Sequence, residues 1–180
     1  MTPAHVATER LVLTAVARED LRELHAVNAD PRLWTHLPSG VYADESRTAD
    51  DIARYRAEWE RDGLGYWTVR RRSDGAFVGI GGVRLVDDAA WNLYYRIAAE
   101  HHGYGYATEL VLASLAAAAE VNDAVPVVAY LLEHNDASLR TALRSGLTEV
   151  WRGPDRQVPG GTRLVLADRP LSAEALAATT

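Results

Sequence analysis

The sequence predicts one α/β (α+β) domain with a mixed, mostly antiparallel central sheet flanked by helices. Three observations predict it. At 180 residues, with 48% hydrophobic and 24% charged side chains, the chain can bury one ordinary core. Three strand-like runs between Tyr66 and Ile97 are joined by short turn signals, as in an antiparallel meander. A glycine turn and a helix-like run then lead to Val125–Leu132, an almost continuous apolar segment that suits a strand covered on both faces and parallel to the one before the helix.

Taken in order, Arg10–Thr14 reads as the first strand. Arg18–Ala29 has the spacing of a short amphipathic helix, stopped by Asp30-Pro31, and a loop with Trp34, His36 and Pro38-Ser39-Gly40 follows. Glu45–Asp62 is a second helix, with Ile52, Tyr55 and Trp59 on one face and Gly63 just past its end. Tyr66–Arg70, the hairpin signal Ser73-Asp74-Gly75, Phe77–Val86, the turn Asp87-Asp88 and Trp91–Ile97 make the meander. Gly79, Gly81 and Gly82 weaken its middle strand, so a bulge or a close ligand approach is expected there. The arginine run 70–72 reads as a solvated strand edge. A helix runs from the glycine turn to about Glu120, and after the apolar strand Asp136–Arg144 forms another, stopped by Gly146. Two more strands are expected near Leu147–Arg152 and Thr162–Ala167. The domain is expected to span 1–169, with 170–180 a loose helix or disordered tail.

Composition removes whole classes of chemistry. The chain has no cysteine, hence no disulfide, thiolate metal site or thiol nucleophile. All 19 basic residues are arginine, so neither a Schiff base nor a Walker lysine is available. No metal site is expected. The formal net charge of −6 argues against nucleic-acid binding. Leu110–Ala119 is too short to span a bilayer, and Met1–Arg10 lacks the apolar core of a secretory signal, so no membrane association and a cytoplasmic location are expected.

The segment His102-Gly103-Tyr104-Gly105-Tyr106-Ala107-Thr108-Glu109 carries the functional argument. Glycines one residue apart let the backbone turn sharply toward a ligand, and the helix behind them presents free N–H groups suited to phosphate. The plainer reading is a turn whose glycines serve geometry alone. A nicotinamide-binding fold also competes, since Gly103 and Gly105 begin G-x-G-x-x-G. Its third glycine is Thr108 here, however, and the acid Glu133 lies 28 residues beyond Gly105.

The order of elements, with this turn after the fourth strand, resembles the GNAT superfamily of acyl-CoA-dependent N-acyltransferases. Gly103-Tyr104-Gly105, continued as Tyr106-Ala107-Thr108-Glu109, is similar to the family's pyrophosphate turn, with a histidine in place of its leading basic residue or glutamine. Asn135-Asp136-Ala137-Ser138 and Gly146-Leu147 resemble a second family segment. Thr8–Leu13 resembles the subgroup containing ribosomal-protein N-terminal acetyltransferases.

That resemblance implies a single GNAT-type domain whose sheet splays between its fourth and fifth strands. It implies acetyl-CoA as cosubstrate, with the pantetheine arm on the backbone around Tyr95 and Ile97. The pyrophosphate would meet His102, Gly103, Tyr104, Gly105, Tyr106, Ala107 and Thr108. Asn135 would bond the pantetheine arm, and Ser138, near the sulfur, is the candidate catalytic donor; its plainer reading is a serine in the first turn of a helix. A tyrosine that many relatives carry seven positions after the asparagine is Ala142 here, and a carboxylate often found on the fourth strand is Asn92. The proton acceptor must then come from elsewhere, with His36, Asp87, Glu133 and His134 as candidates. Trp34, His36, Trp67 and Trp91 are candidates for an aromatic acceptor pocket, beside the plainer reading of tryptophans as core. The expected reaction is direct acetyl transfer to a primary amine, a protein N-terminus or a small molecule. The alternative is a CoA-binding sensor or partner protein with weakened catalysis. Homodimers are common for this fold.

Overall fold

Alternating and fully apolar runs rich in Val, Leu, Trp and Tyr pair into one eight-stranded sheet because each has a face, or two, that must leave water. The computed structural model describes residues 3–180, so residues 1–2 of the expected domain lie outside the described residues. In chain order the elements are β1 (His5–Ala7), β2 (Leu11–Ala15), α1 (Leu21–Asn28), α2 (Glu45–Asp62), β3 (Tyr66–Arg71), β4 (Phe77–Val86), β5 (Ala90–Ile97), α3 (Tyr106–Asn122), β6 (Val127–Leu132), α4 (Asp136–Arg144), β7 (Thr148–Pro154), β8 (Thr162–Ala167) and α5 (Ala173–Thr179). The strand order is β1-β2-β3-β4-β5-β6-β8-β7. All neighbours are antiparallel except β5 and β6.

Helices cover both faces. Leu110 and Val111 of α3 pack with Trp67, Val69, Val83, Trp91 and Leu93 on one side. On the other, Leu24 of α1 and Ile52 and Tyr55 of α2 pack with Tyr66 and Ile80. The limits of α2 follow its sequence signals: the Asp44 carboxylate accepts from Ser46 N–H at the start, and Gly63, at φ +69°, closes the end.

The meander's middle strand shows what its glycines are for. The register steps from Val69–Gly79 to Arg70–Phe77, which leaves Val78 unpaired and puts a bulge in β4 beside Gly79. A Cβ at Gly79 would lie 2.1 Å from the Arg96 carbonyl oxygen, so the close approach is of β5, not of a ligand.

The feature that positions the site is a parting of strands. β5 and β6 pair only at Trp91–Val127 and Asn92–Val128. Beyond that point β5 stays with β4 as far as Ile97, while β6 stays with β8 through Leu132. A wedge opens between them, one strand later in the count than expected because β1 precedes the strand read as first.

Two expectations are corrected. The arginine run is not a solvated edge: β3 lies between β2 and β4, and each arginine has a partner. Arg70 pairs with Glu23 and Asp20, Arg71 with Asp74 at 2.5 Å, and Arg72 Nη1 donates to the Thr8 carbonyl at 3.3 Å. Residues 170–180 are not a loose tail. Ser172 caps α5 by accepting from Ala175 N–H, Ala175 and Thr179 are buried, and the Thr179 carbonyl accepts from Arg163 at 3.2 Å. No helix among the described residues is long and apolar enough to cross a membrane.

Candidate active site

The wedge between β5 and β6 opens into a cavity of about 540 Å³, lined by β5, β6, the 101–108 turn, the start of α4 and the loop after α1. Its mouth is the glycine turn. Gly103 and Gly105 sit at φ +83° and +80°, a left-handed conformation that side chains with a Cβ resist. A Cβ at Gly103 would enter open space, and Gly105 caps α3 without any side-chain hydrogen bond. Among the described residues, none of the backbone N–H groups from Gly103 to Thr108 finds an acceptor in the chain. The helix dipole adds partial positive charge at the same place. The cradle therefore fits a phosphate or pyrophosphate.

The cradle is braced from the β1–β2 connection. Glu109, in the first turn of α3, accepts from the Thr8 hydroxyl, from Arg10 N–H at 2.8 Å and from Arg10 Nε at 2.7 Å. Arg10 Nη1 donates to the Tyr104 carbonyl at 2.7 Å. Burial pushes the Glu109 carboxyl up, but the Thr8 hydroxyl, the Arg10 N–H and the guanidinium outweigh it, leaving its pKa below the ordinary carboxylate value. This ties Thr8-Glu9-Arg10 to the turn some 95 residues away.

His102 is turned back onto its own strand end, with Nε2 donating to the Ile97 carbonyl at 2.9 Å; Nδ1 is the ring atom left for a ligand. The same contact occupies one of the Ile97 backbone groups expected to meet the pantetheine arm. Tyr104 and Tyr106 stack at 5.8 Å beside the turn. Asn135 caps α4, its Oδ1 accepting from Ser138 N–H at 3.2 Å, which leaves its amide N–H groups for a ligand. Ser138 lines the cavity.

The structure adds a hydroxyl that sequence reasoning missed. Tyr95 was read for its backbone, yet its Oη is buried beside α4 and makes no hydrogen bond. Burial raises its pKa, and the nearby Thr141 and Ser138 hydroxyls only partly oppose the shift. A buried donor without a partner is costly, so this one is set for a ligand atom. Strand alternation was the available signal, since Tyr94 and Tyr95 must face opposite sides of the sheet. Ala142 is 2% exposed and packs in the same core cluster as Tyr95.

Of the four candidate proton acceptors, His36 alone lines the cavity. Burial, the Arg96 guanidinium and His134 all depress its pKa below 6.5, so the ring is neutral at pH 7. His134 Nε2 donates to the His36 carbonyl at 2.9 Å. Glu133 is paired with Arg152. Asp87 sits in the β4–β5 turn at φ +49°. Asn92 donates from Nδ2 to Tyr130 Oη at 3.3 Å, and its Oδ1 is buried without a partner.

The tryptophans require correction. Trp67 and Trp91 are 0% and 2% exposed and belong to the core under α3, so neither lines an acceptor pocket. Their strand positions point them to the face packed against α3, where Trp67 also meets Trp59 from the end of α2. Trp34 does stand beside the cavity wall, but its ring face is covered by the Arg96 guanidinium at 3.4 Å. A cationic amine cannot use that face. Among the described residues no cluster of three or more His, Cys, Asp or Glu could hold a metal ion.

A family model for the acetyltransferase (GNAT) domain matches residues 10–148. The fold is similar to a Bordetella pertussis protein described as a GNAT-family acetyltransferase, with a TM-score of 0.78, 20% identity and coverage of 92% of this chain and 99% of that one. It is similar to an acetyltransferase from Agrobacterium tumefaciens str. C58, with a TM-score of 0.74, 26% identity and coverage of 89% and 92%. It is also similar to RimL, a ribosomal L7/L12 alpha-N-protein acetyltransferase solved in complex with coenzyme A, with a TM-score of 0.77, 16% identity and coverage of 94% and 98%. No curated protein sequence matches the chain.

Proposed function

The chain belongs to the acetyltransferase (GNAT) family, and on that premise we propose that it transfers the acetyl group of acetyl-CoA directly to a primary amine in the cytoplasm. The observation that carries the reading is the unbroken run of unpaired N–H groups from Gly103 to Thr108 at the mouth of a wedge between two strands. The run suits the pyrophosphate. The free strand edges inside the wedge suit an extended amide-bearing arm, and Asn135 supplies a side-chain amide beside them.

The chemistry needs a neutral amine, a home for its proton and a donor to the departing sulfur. Nitrogen bonds to the acetyl carbon as the carbon–sulfur bond breaks. His36, neutral and on the cavity wall, takes the proton from nitrogen, directly or through water. The hydroxyls of Ser138 and Tyr95, both residues lining the cavity, would donate to sulfur. A thiol's reference pKa is about 8.5, so even a weak donor suffices there. No side chain forms a covalent link to the acetyl group, in keeping with a chain that has no cysteine.

Thermal unfolding with and without ligand tests the site. At about 100 times Kd, acetyl-CoA or free CoA should add about 2.7 kcal/mol of stability. Thiol release across a panel of amines then reads turnover. An unchanged Tm with saturating CoA would remove the site, and binding without turnover of any amine would remove the enzymatic reading.

A further inference from the structure

Arg96 is a buried cation for which the described residues provide no counter-charge. It sits on β5 between Tyr95 and Ile97, and alternation turns it toward Tyr94 and the loop after α1, away from Ser138. It is 8% exposed and lines the cavity. Nε donates to Tyr94 Oη at 3.0 Å, Nη1 approaches the Leu33 carbonyl at 3.4 Å, and Nη2 has no partner among the described residues. The Trp34 ring lies 3.4 Å beneath, fixing the plane of the fork. Among the described residues no carboxylate lies within ion-pairing distance, although acids stand on the neighbouring elements. Asp30 is committed to Arg32, Glu133 to Arg152, and Asp155 to Arg163. The buried Arg163 shows the ordinary solution, with Asp155 at 2.7 Å.

A buried guanidinium with one good hydrogen bond is expensive unless something anionic completes it. Stacking on an aromatic ring and one carbonyl contact do not replace a counter-ion. His36, on the same wall, and His134, which donates to the His36 carbonyl, add no negative charge. A planar fork held by a ring from below presents its remaining N–H groups as a bidentate seat for a carboxylate or phosphate.

We propose that Arg96 binds an anionic group of the acceptor, so that the substrate is a small primary amine bearing a carboxylate or phosphate. The inference rests on the acetyltransferase reading and deepens it. The phosphates of CoA are provided for at the Gly103–Thr108 cradle, on a different element, which leaves Arg96 to the second substrate.

The test uses matched acceptors: 4-aminobutyrate against 4-aminobutanamide, and O-phosphoethanolamine against ethanolamine, with alanyl-alanine amide as a neutral peptide. The wild-type protein should favour at least one anionic member over its neutral partner by about tenfold or more in kcat/KM. Arg96→Met should reduce that ratio to within about threefold while the Kd for CoA stays within about threefold of wild type. Arg96→Lys, which keeps the charge and loses the fork, should retain part of the preference. In the complex with free CoA, the preferred anionic amine should raise the Tm and its neutral partner should not, a readout independent of turnover. Should Arg96→Met fail to fold, the wild-type ratios and Arg96→Lys still decide. Equal use of neutral and anionic members, best use of the neutral peptide, no anion-dependent Tm shift, or an equal loss of CoA affinity in Arg96→Met overturns the proposal. Absence of any CoA-induced Tm shift is a different failure, that of the acetyltransferase site itself.

Discussion

Replacing Gly103 by alanine separates the cost of bending the backbone from the cost of losing the ligand. Gly103 sits at φ +83° with nothing within 4 Å of an added Cβ. Gly63, at the end of α2, has φ +69° and equally open space. Both substitutions force an L-residue into the left-handed region, at about 1–2 kcal/mol. For a domain of this size each should lower the Tm by about 2–8 °C. The consequences for CoA should differ. At Gly103 the methyl group would project into the open space at the mouth of the cradle, where the ligand's phosphates are expected. Displacing one charge-assisted contact there removes about 1.5–3 kcal/mol, a loss of about 10- to 150-fold in affinity. Gly63→Ala should bind CoA as wild type does. Titration calorimetry with free CoA, alongside thermal unfolding of all three proteins, makes the comparison. Wild-type affinity in Gly103→Ala, with the Tm lowered as in Gly63→Ala, would mean that the turn is geometry alone.

Two further predictions concern the chemical step. Tyr95→Phe removes a buried hydroxyl that has no partner, so stability should hold or rise by up to about 1 kcal/mol. Its kcat, and that of Ser138→Ala, should each fall about tenfold or more with the KM for acetyl-CoA unchanged, and a fully active double variant would exclude both donors. His36 has a folded pKa below 6.5, so the folded state binds fewer protons than the unfolded one, and stability should rise with pH up to about 6.5 and then level off. His36→Gln should flatten that rise and remove the acid limb of kcat, which in the wild type should lie below pH 6.5; an unchanged pH profile would count against His36 as proton acceptor.

The sheet and most helix limits were legible because they rest on local signals. Asp44 and Gly63 bracket α2, and the near-unbroken apolar run to Leu132 announces a strand buried on both faces. What was not legible depends on contacts between distant segments. β1 is only His5–Ala7, too short for any periodicity, and exists because β2 offers it a partner. The Arg70–Arg72 run looks like an edge until Glu23, Asp20, Asp74 and the Thr8 carbonyl are brought to it. The cradle was readable from Gly103 and Gly105, whereas its brace, Glu109 on Thr8 and Arg10, joins residues far apart in the chain. Trp67 and Trp91 were misassigned because composition marks them as large and aromatic without saying which face of the strand meets the wedge.

The strand β5 shows how one local rule can divide a site between two substrates. Its side chains alternate, so Tyr95 turns toward α4 while Tyr94 and Arg96 turn toward the loop after α1. The wedge beside it opens to both faces. A hydroxyl for the departing sulfur can then come from the strand, since Tyr95 packs on the cluster that contains the small Ala142 of α4. The opposite face keeps Asn92, which is unable to take a proton at neutral pH, and gains a neutral histidine from the facing loop instead. With His36 and Arg96 on the same wall, the proposed proton acceptor and the proposed anion seat are adjacent. An anion bound at Arg96 would cancel part of the charge that depresses the His36 pKa, making the ring a stronger base only when the correct acceptor is in place.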